Sequence, residues 1–167
     1  MRIEATAYDH PDAAALIAEV QREYVARYGG PDGTLVDPAE FAPPRGLFLV
    51  AYVDGRPAAC GGWRAHGAAV ELKRMYVAPA CRGRGLARAV LAELERTAVA
   101  AGHRRVILET GQLQPEAIAL YRSAGYEPVP PFGYYAEAPE AVHLGKEVGP
   151  GEGEHGGAVG APRSDEA

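Results

Sequence analysis

The sequence predicts a mixed α/β domain, a single sheet with helices on both faces. Three observations carry that expectation. Between Pro11 and Tyr28 the large apolar residues Leu16, Ile17, Val20, Tyr24 and Tyr28 fall mostly three and four apart, one face of a helix. Residues 47–53 and 56–65 are apolar runs joined by Asp54-Gly55, a strong hairpin signal, and a third run at 68–77 makes a meander. Beyond Val77 the pattern alternates between helical and extended periods, as in sheets built with crossover helices.

Taken in order, residues 3–7 read as a short edge strand. The helix that follows has Pro11 at a favourable first position and Gly29-Gly30 as its stop. Residues 29–46 are rich in proline and turn residues, with a short helical stretch near Pro38–Phe41. Loops of this length in compact domains are usually functional or mobile. In the second meander strand Gly61-Gly62 marks a bulge. A helix over 86–101 presents Leu86, Ala89, Val90, Leu94 and Ala98 on one side and is closed by Gly102. A strand at 105–110, a helix at Pro115–Ser123 stopped by Gly125, and strands at 126–129 and 142–148 complete the reading.

Composition narrows the function. The 167 residues carry 17 Lys and Arg against 22 Asp and Glu, a net charge of −5. The stretch from Gly149 onward holds Glu152, Glu154, Asp165 and Glu166 against Arg163 alone, so the rest of the chain is near −2. Such a body lacks the clustered cations that binding a nucleic-acid backbone requires, and no nucleic-acid partner is expected. The 149–167 segment is acidic and glycine-rich with little to bury, and reads as a disordered tail after a domain at 1–148. Two cysteines make no disulfide framework and no zinc motif, and the five histidines fall at no ligand spacing. They read as surface or capping residues, and no metal is expected. No apolar run approaches the roughly 20 residues that span a bilayer, and MRIEATAYDH carries charges where a signal peptide would need its apolar stretch, so none is expected. No membrane is expected, and a cytoplasmic location is.

The segment from Val77 to Arg88 joins a strand to a helix through a turn containing Cys81, Arg82, Gly83, Arg84 and Gly85. The first turn of a helix offers unpaired N–H groups and the positive end of a dipole, and glycines let that backbone approach an anion. Arg82, Arg84 and Arg88 add charge, so a diphosphate is the natural ligand. Three other readings stay open here: a tight turn with solvated arginines, a dinucleotide site using Gly83-x-Gly85 with Glu109, and an RGG-type RNA segment. Arg88 at the third glycine position speaks against the dinucleotide site. A nucleoside-triphosphate P-loop is excluded because no G-K-[ST] occurs.

Three motifs, Glu71-Leu-Lys-Arg-Met-Tyr-Val77, Arg82-x-x-Gly85-x-Ala87 and Gln114-x-x-Ala117-Ile-x-Leu120-Tyr121-x-x-x-Gly125-Tyr126, resemble those of the GNAT superfamily of acyl-CoA N-acetyltransferases. The resemblance spans roughly residues 1–147. It implies a GNAT-like, mostly antiparallel sheet that splays between its fourth and fifth strands, with acetyl-CoA as co-substrate. It further implies that the strand at Met75, Tyr76 and Val77 pairs with the pantetheine arm. The turn through Arg82, Gly83, Arg84, Gly85, Leu86 and Ala87 holds the pyrophosphate, and an N–H near Val77 faces the thioester oxygen. Tyr121 matches the tyrosine that protonates the departing thiolate. Glu71 matches a position where some members place a general base, and Glu109 on the facing strand is a second candidate. Gln114 stands where an asparagine often contacts the cofactor. Cys81 reads as a small buried thiol.

The implied activity is transfer of an acetyl group to a primary amine of a small molecule by direct attack in a ternary complex. The alternatives are a non-catalytic acyl-CoA-binding module and a nicotinamide-dependent reductase. Loop 29–46 and Phe132-Gly133-Tyr134-Tyr135 are expected to face the acceptor. Arg64, Lys73 and Arg74 are candidates to pair with the carboxylate of an amino-acid-like acceptor. Homodimerisation is compatible with such a fold, although no self-complementary stripe is visible in the sequence.

Overall fold

The structure is a computed structural model that describes residues 1–149. The tail expected at 149–167 lies, from residue 150 on, outside the described residues. Ten elements follow one another: β1 (Arg2–Ala5), α1 (Pro11–Tyr28), β2 (Gly46–Val53), β3 (Arg56–His66), β4 (Ala69–Val77), α2 (Leu86–Ala100), β5 (Arg105–Gly111), α3 (Pro115–Ser123), β6 (Glu127–Pro128) and β7 (Ala141–Glu147). They build one seven-stranded sheet in the order β1-β2-β3-β4-β5-β7-β6. Every neighbouring pair is antiparallel except β4–β5, which is parallel.

The helices form where the local chemistry starts and stops them. His10 caps α1 by accepting the Asp12 N–H at 3.0 Å, Pro11 opens the first turn, and Gly29 closes the helix in the left-handed region at φ 83°. Ala13, Leu16 and Val20 of α1 are buried against Phe48, Val50 and Tyr76 on one face of the sheet. On the other face α2 buries Leu86, Val90, Leu91, Leu94 and Ala98 against Leu49, Ala59, Val70, Leu72 and Val106. The short turn at Pro38–Phe41 forms as expected, with Asp37 and Glu40 making a capping box that seats Phe41 in the α1-side core.

Two departures from regular pairing shape the centre of the sheet. β4 and β5 pair only at Val70–Val106 and Glu71–Ile107, so the strands part beyond Glu71 and leave a cleft. The irregularity expected at Gly61-Gly62 is present, but the additional residue sits on the partner strand. Cys60 faces Tyr76 and Gly62 faces Lys73, so Gly61 alone opposes both Arg74 and Met75. Arg74 takes up the strain at φ 62°, a conformation non-glycine residues rarely adopt. Gly61 is required opposite it, because a Cβ there would overlap the Met75 sulfur.

The C-terminal strands also differ from a simple pair. β7 inserts between β5 and β6, and β6 shrinks to Glu127–Pro128. Prolines at 128, 130 and 131 remove the donors a longer ladder would need. His143 is buried on β7 rather than exposed. Its ring packs edge-on against Phe132, and burial pushes it below the usual imidazole range.

Candidate active site

Where β4 and β5 part, two cavities open on either side of one tyrosine. The first is a groove of about 380 Å³ running along the edge of β4 to the start of α2. Its walls include Met75, Tyr76, Val77, Arg82, Gly83, Gly85, Leu86 and Ala87, together with Gln114 and Tyr121 of the third motif. Of the residues nominated by sequence for the cofactor, only Arg84 lies outside this lining. Cys81, expected to be a buried thiol, is half-buried and lines the groove.

The backbone makes this groove receptive. Ala78 donates to Ala58 O at 2.8 Å and Tyr76 pairs with Cys60, so by the alternation of an antiparallel ladder Met75 and Val77 present their N–H and C=O toward the cleft. Arg82 Nε donates to Val77 O at 3.0 Å and its guanidinium pairs with Glu23 at 2.8 Å, which fixes the entrance to the turn. Gly83 and Gly85 adopt φ 81° and 77°, and a Cβ at either would meet no atom within 4 Å, so the space above them is open. Ala89 donates to Gly85 O, and the N–H groups of the preceding turn face outward with no intrahelical acceptor. Arg88 also lines the groove, with its Nη2 donating to Ser123 Oγ at 2.8 Å.

The second cavity, about 290 Å³, lies under the loop after α1. Tyr24, Tyr28 and Tyr135 supply aromatic wall, and Asp32, Lys73, Glu109 and Glu140 supply charge. Asp32 comes from loop 29–46 and Tyr135 from the 132–135 segment, so both expected segments contribute. Four residues line both spaces: Met75, Gln114, Ala117 and Tyr121. Tyr121 therefore stands at the junction. It is buried and packs edge-on against Tyr126. Burial, reinforced by Glu109, holds its phenol well above the usual value, so the hydroxyl keeps its proton.

The two candidate bases differ in setting. Glu71 is buried but lines neither cavity, and its Oε1 accepts from Arg64 Nε at 3.1 Å. Glu109 lines the second cavity. Burial lifts its carboxyl from the ordinary 4.5 to about 7; Lys73 pulls it down, while Asp32 and Glu71 push it up. A carboxyl that titrates near neutrality inside a cleft is suited to proton transfer.

The cations nominated for a substrate carboxylate are already paired. Lys73 Nζ and Arg74 Nη1 both donate to Asp32 Oδ2, at 3.0 and 2.6 Å. Arg64 pairs with Glu40 and Glu71, at 3.0 and 3.1 Å. Sequence reasoning missed Asp32 and the tyrosines of α1. Among the described residues no group of three His, Cys, Asp or Glu could hold a metal ion, and no helix is long and apolar enough to cross a membrane.

Comparison with known proteins agrees with this architecture. The acetyltransferase (GNAT) family model matches residues 14–126. The chain is similar to an IAA acetyltransferase of Azospirillum brasilense, 37% identical over 133 residues that cover 78% of this chain and 87% of that protein. A crystal structure from Klebsiella pneumoniae, assigned to the acyl-CoA N-acyltransferases, superposes with a TM-score of 0.73 at 28% identity, covering 88% of this chain and 97% of the other. An aminoglycoside 6'-N-acetyltransferase in complex with coenzyme A shares the fold at a TM-score of 0.67 and 15% identity, covering 99% of this chain and all of the other. With the splayed sheet, the glycine turn and the junction tyrosine in place, the chain belongs to the GNAT family and is an acyl-CoA-dependent N-acetyltransferase.

Proposed function

We propose that this protein moves the acetyl group of acetyl-CoA to a primary amine of a small molecule, by direct attack in a ternary complex. The groove takes the co-substrate and the cavity beneath loop 29–46 takes the amine. The observation that carries this reading is Tyr121, which alone among the ionisable side chains lines both spaces. A cavity of about 290 Å³ partly roofed by a loop favours a compact acceptor over a protein chain.

The groove residues fit acetyl-CoA. The N–H groups from Gly83 to Ala87 would hold its pyrophosphate, and the cleft-facing backbone of Met75 and Val77 would hold its pantetheine arm. When bound, acetyl-CoA supplies a thioester whose carbonyl carbon is the electrophile. The Val77 N–H would bond the carbonyl oxygen, and a donor aimed at developing charge in a dry cleft is worth about 3 kcal/mol.

The remaining work is done by side chains of the cavity. A primary amine enters largely as its ammonium and must lose a proton before its lone pair is available. Glu109 rather than Glu71 is proposed as the acceptor of that proton, because it lines the cavity and titrates near neutrality whereas Glu71 is held by Arg64. Glu71 acts at a distance, its charge helping to hold the Glu109 carboxyl up. The protonated Tyr121 hydroxyl supplies the proton that the departing sulfur needs. Holding amine and thioester in line removes much of the entropic barrier.

Incubation with acetyl-CoA and a panel of amines, read by release of free thiol, tests the proposal. The expected result is thiol release dependent on a small primary amine, with intersecting initial-rate lines. Parallel lines with an acetylated protein trapped in the absence of amine would show a covalent route instead.

A further inference from the structure

We propose that Asp32 is a built-in carboxylate that sets acceptor specificity: it occupies the cationic corner of the cavity, so the site takes amines without a carboxyl group beside the nitrogen and rejects amino acids. This rests on the reading that the cavity holds the amine.

Asp32 lies on the loop after α1, while its partners lie on the bulged part of β4, 41 and 42 residues away. Its Oδ2 accepts from Lys73 Nζ at 3.0 Å and Arg74 Nη1 at 2.6 Å, and its Oδ1 accepts from the Thr34 N–H at 2.9 Å. The side chains are 9% exposed for Asp32, 6% for Lys73 and 3% for Arg74, so the cluster is shielded from salt and solvent. Arg74 is further held by Nε donating to the Tyr8 hydroxyl at 3.2 Å. Burial by itself would raise the Asp32 carboxyl. Lys73 and the Thr34 donors outweigh it and hold the group ionised, well below the usual carboxylate range.

The loop is fixed on both sides of this residue. The Asp32 N–H donates to Gln21 Oε1 at 2.8 Å, and the Gly33 N–H donates to the Tyr135 hydroxyl at 2.7 Å. The loop is thus held on both sides of Asp32 with its carboxylate on Lys73 and Arg74. Asp32 and Lys73 both line the cavity, with Glu109 on the same wall. A substrate carboxylate entering here would meet an ammonium already paired with Asp32, and the carboxyl groups of Asp32, Glu109 and Glu140. An ammonium group would meet Glu109 and the rings of Tyr24, Tyr28, Tyr121 and Tyr135. Rejection by a placed like charge discriminates more sharply than added contact does.

The test compares matched amines on the full chain: 2-phenylethylamine against phenylalanine, and isopentylamine against leucine. In the wild type kcat/KM should favour the member without a carboxyl group by at least about 10²-fold. Only that member should raise the melting temperature of the protein saturated with coenzyme A. Asp32→Ala should narrow the preference at least about tenfold, chiefly through a lower KM for the amino acid, and added formate should restore it. Asp32→Asn keeps the shape and should narrow the preference in the same direction if the alanine variant does not fold. Equal use of both members by the wild type, or an unchanged preference in a folded Asp32 variant, overturns the inference while leaving acetyl transfer standing. No thiol release and no stabilisation with any amine overturns both.

Discussion

Replacing Glu109 by Gln removes the proposed base while keeping its shape, and the structure gives the size of the effect. With the carboxyl at about 7, close to a tenth of molecules carry the carboxylate at pH 6, half at pH 7 and nine-tenths at pH 8. Wild-type kcat/KM should therefore rise about fivefold from pH 6 to 7 and less than about twofold from pH 7 to 8. In Glu109→Gln that limb should vanish. The rate should fall by about 10² to 10³, and what is left should follow only the free-amine fraction of the substrate. Stability supplies an independent readout. A carboxyl lifted on folding binds its proton more tightly in the native state, so it costs stability as pH rises from 4.5 through about 7. The full displacement corresponds to about 3 kcal/mol, an upper bound because the group borders an open cavity and solvent screens it. Glu109→Gln should thus melt higher than wild type at pH 8 and nearly level with it at pH 4. Rates within fivefold of wild type across this range, or an acid limb that survives the substitution, would refute the assignment.

Three further outcomes are expected. Tyr121→Phe should lower kcat about 10²-fold with little change in the KM for acetyl-CoA, measured by steady-state thiol release, since only the proton donor is lost. Gly85→Ala places a side chain at φ 77°, where space is open but the backbone resists by about 1–2 kcal/mol. The turn should relax, and titration calorimetry should show coenzyme A bound about tenfold more weakly. Gly61→Ala introduces a Cβ that would overlap the Met75 sulfur and come within 3.1 Å of Leu94 Cδ1. Overpacking of this kind costs about 1–3 kcal/mol. Because Met75 lines both spaces, the melting temperature should fall and the KM for both substrates should rise.

The order of elements was legible because each is announced locally, by a period, a cap or a turn. The glycine turn and Tyr121 were legible because their motifs lie within single strand–turn–helix or helix segments. What escaped depended on contacts between distant segments. Asp32 looks like an ordinary loop residue until the bulge brings Lys73 and Arg74 to it across more than 40 positions. Tyr24 and Tyr28 continue the apolar stripe of α1 and so read as core, although the last turns of that helix reach the second cavity. The contrast between Glu71 and Glu109 could have been drawn from sequence. The meander register places Arg64 directly across from Glu71, a cross-strand ion pair that Glu109, among the described residues, does not have. His143 offered no such signal, since its burial depends on β7 entering between β5 and β6.

The bulge in β4 joins the two halves of the site. Before it, Val70 and Leu72 pack toward α2 while Glu71 and Lys73 face the α1 side; after it, Met75 and Val77 pack toward α2 and Tyr76 faces α1. A regular strand would place Arg74 with Val70 and Leu72, in the apolar core under α2. The left-handed turn at Arg74 sends its guanidinium instead to Asp32 and Tyr8, and the odd-numbered residues that follow become the wall of the groove. One inserted residue thus changes which face the strand offers to α2 and anchors the loop that carries Asp32. The strain at Arg74 is balanced by two hydrogen bonds from its guanidinium and by Cys60 Sγ donating to its carbonyl at 3.2 Å. Through Met75, which lines both spaces, a change at Gly61 reaches the groove and the second cavity together, whereas Gly85 borders only the groove and Glu109 only the cavity.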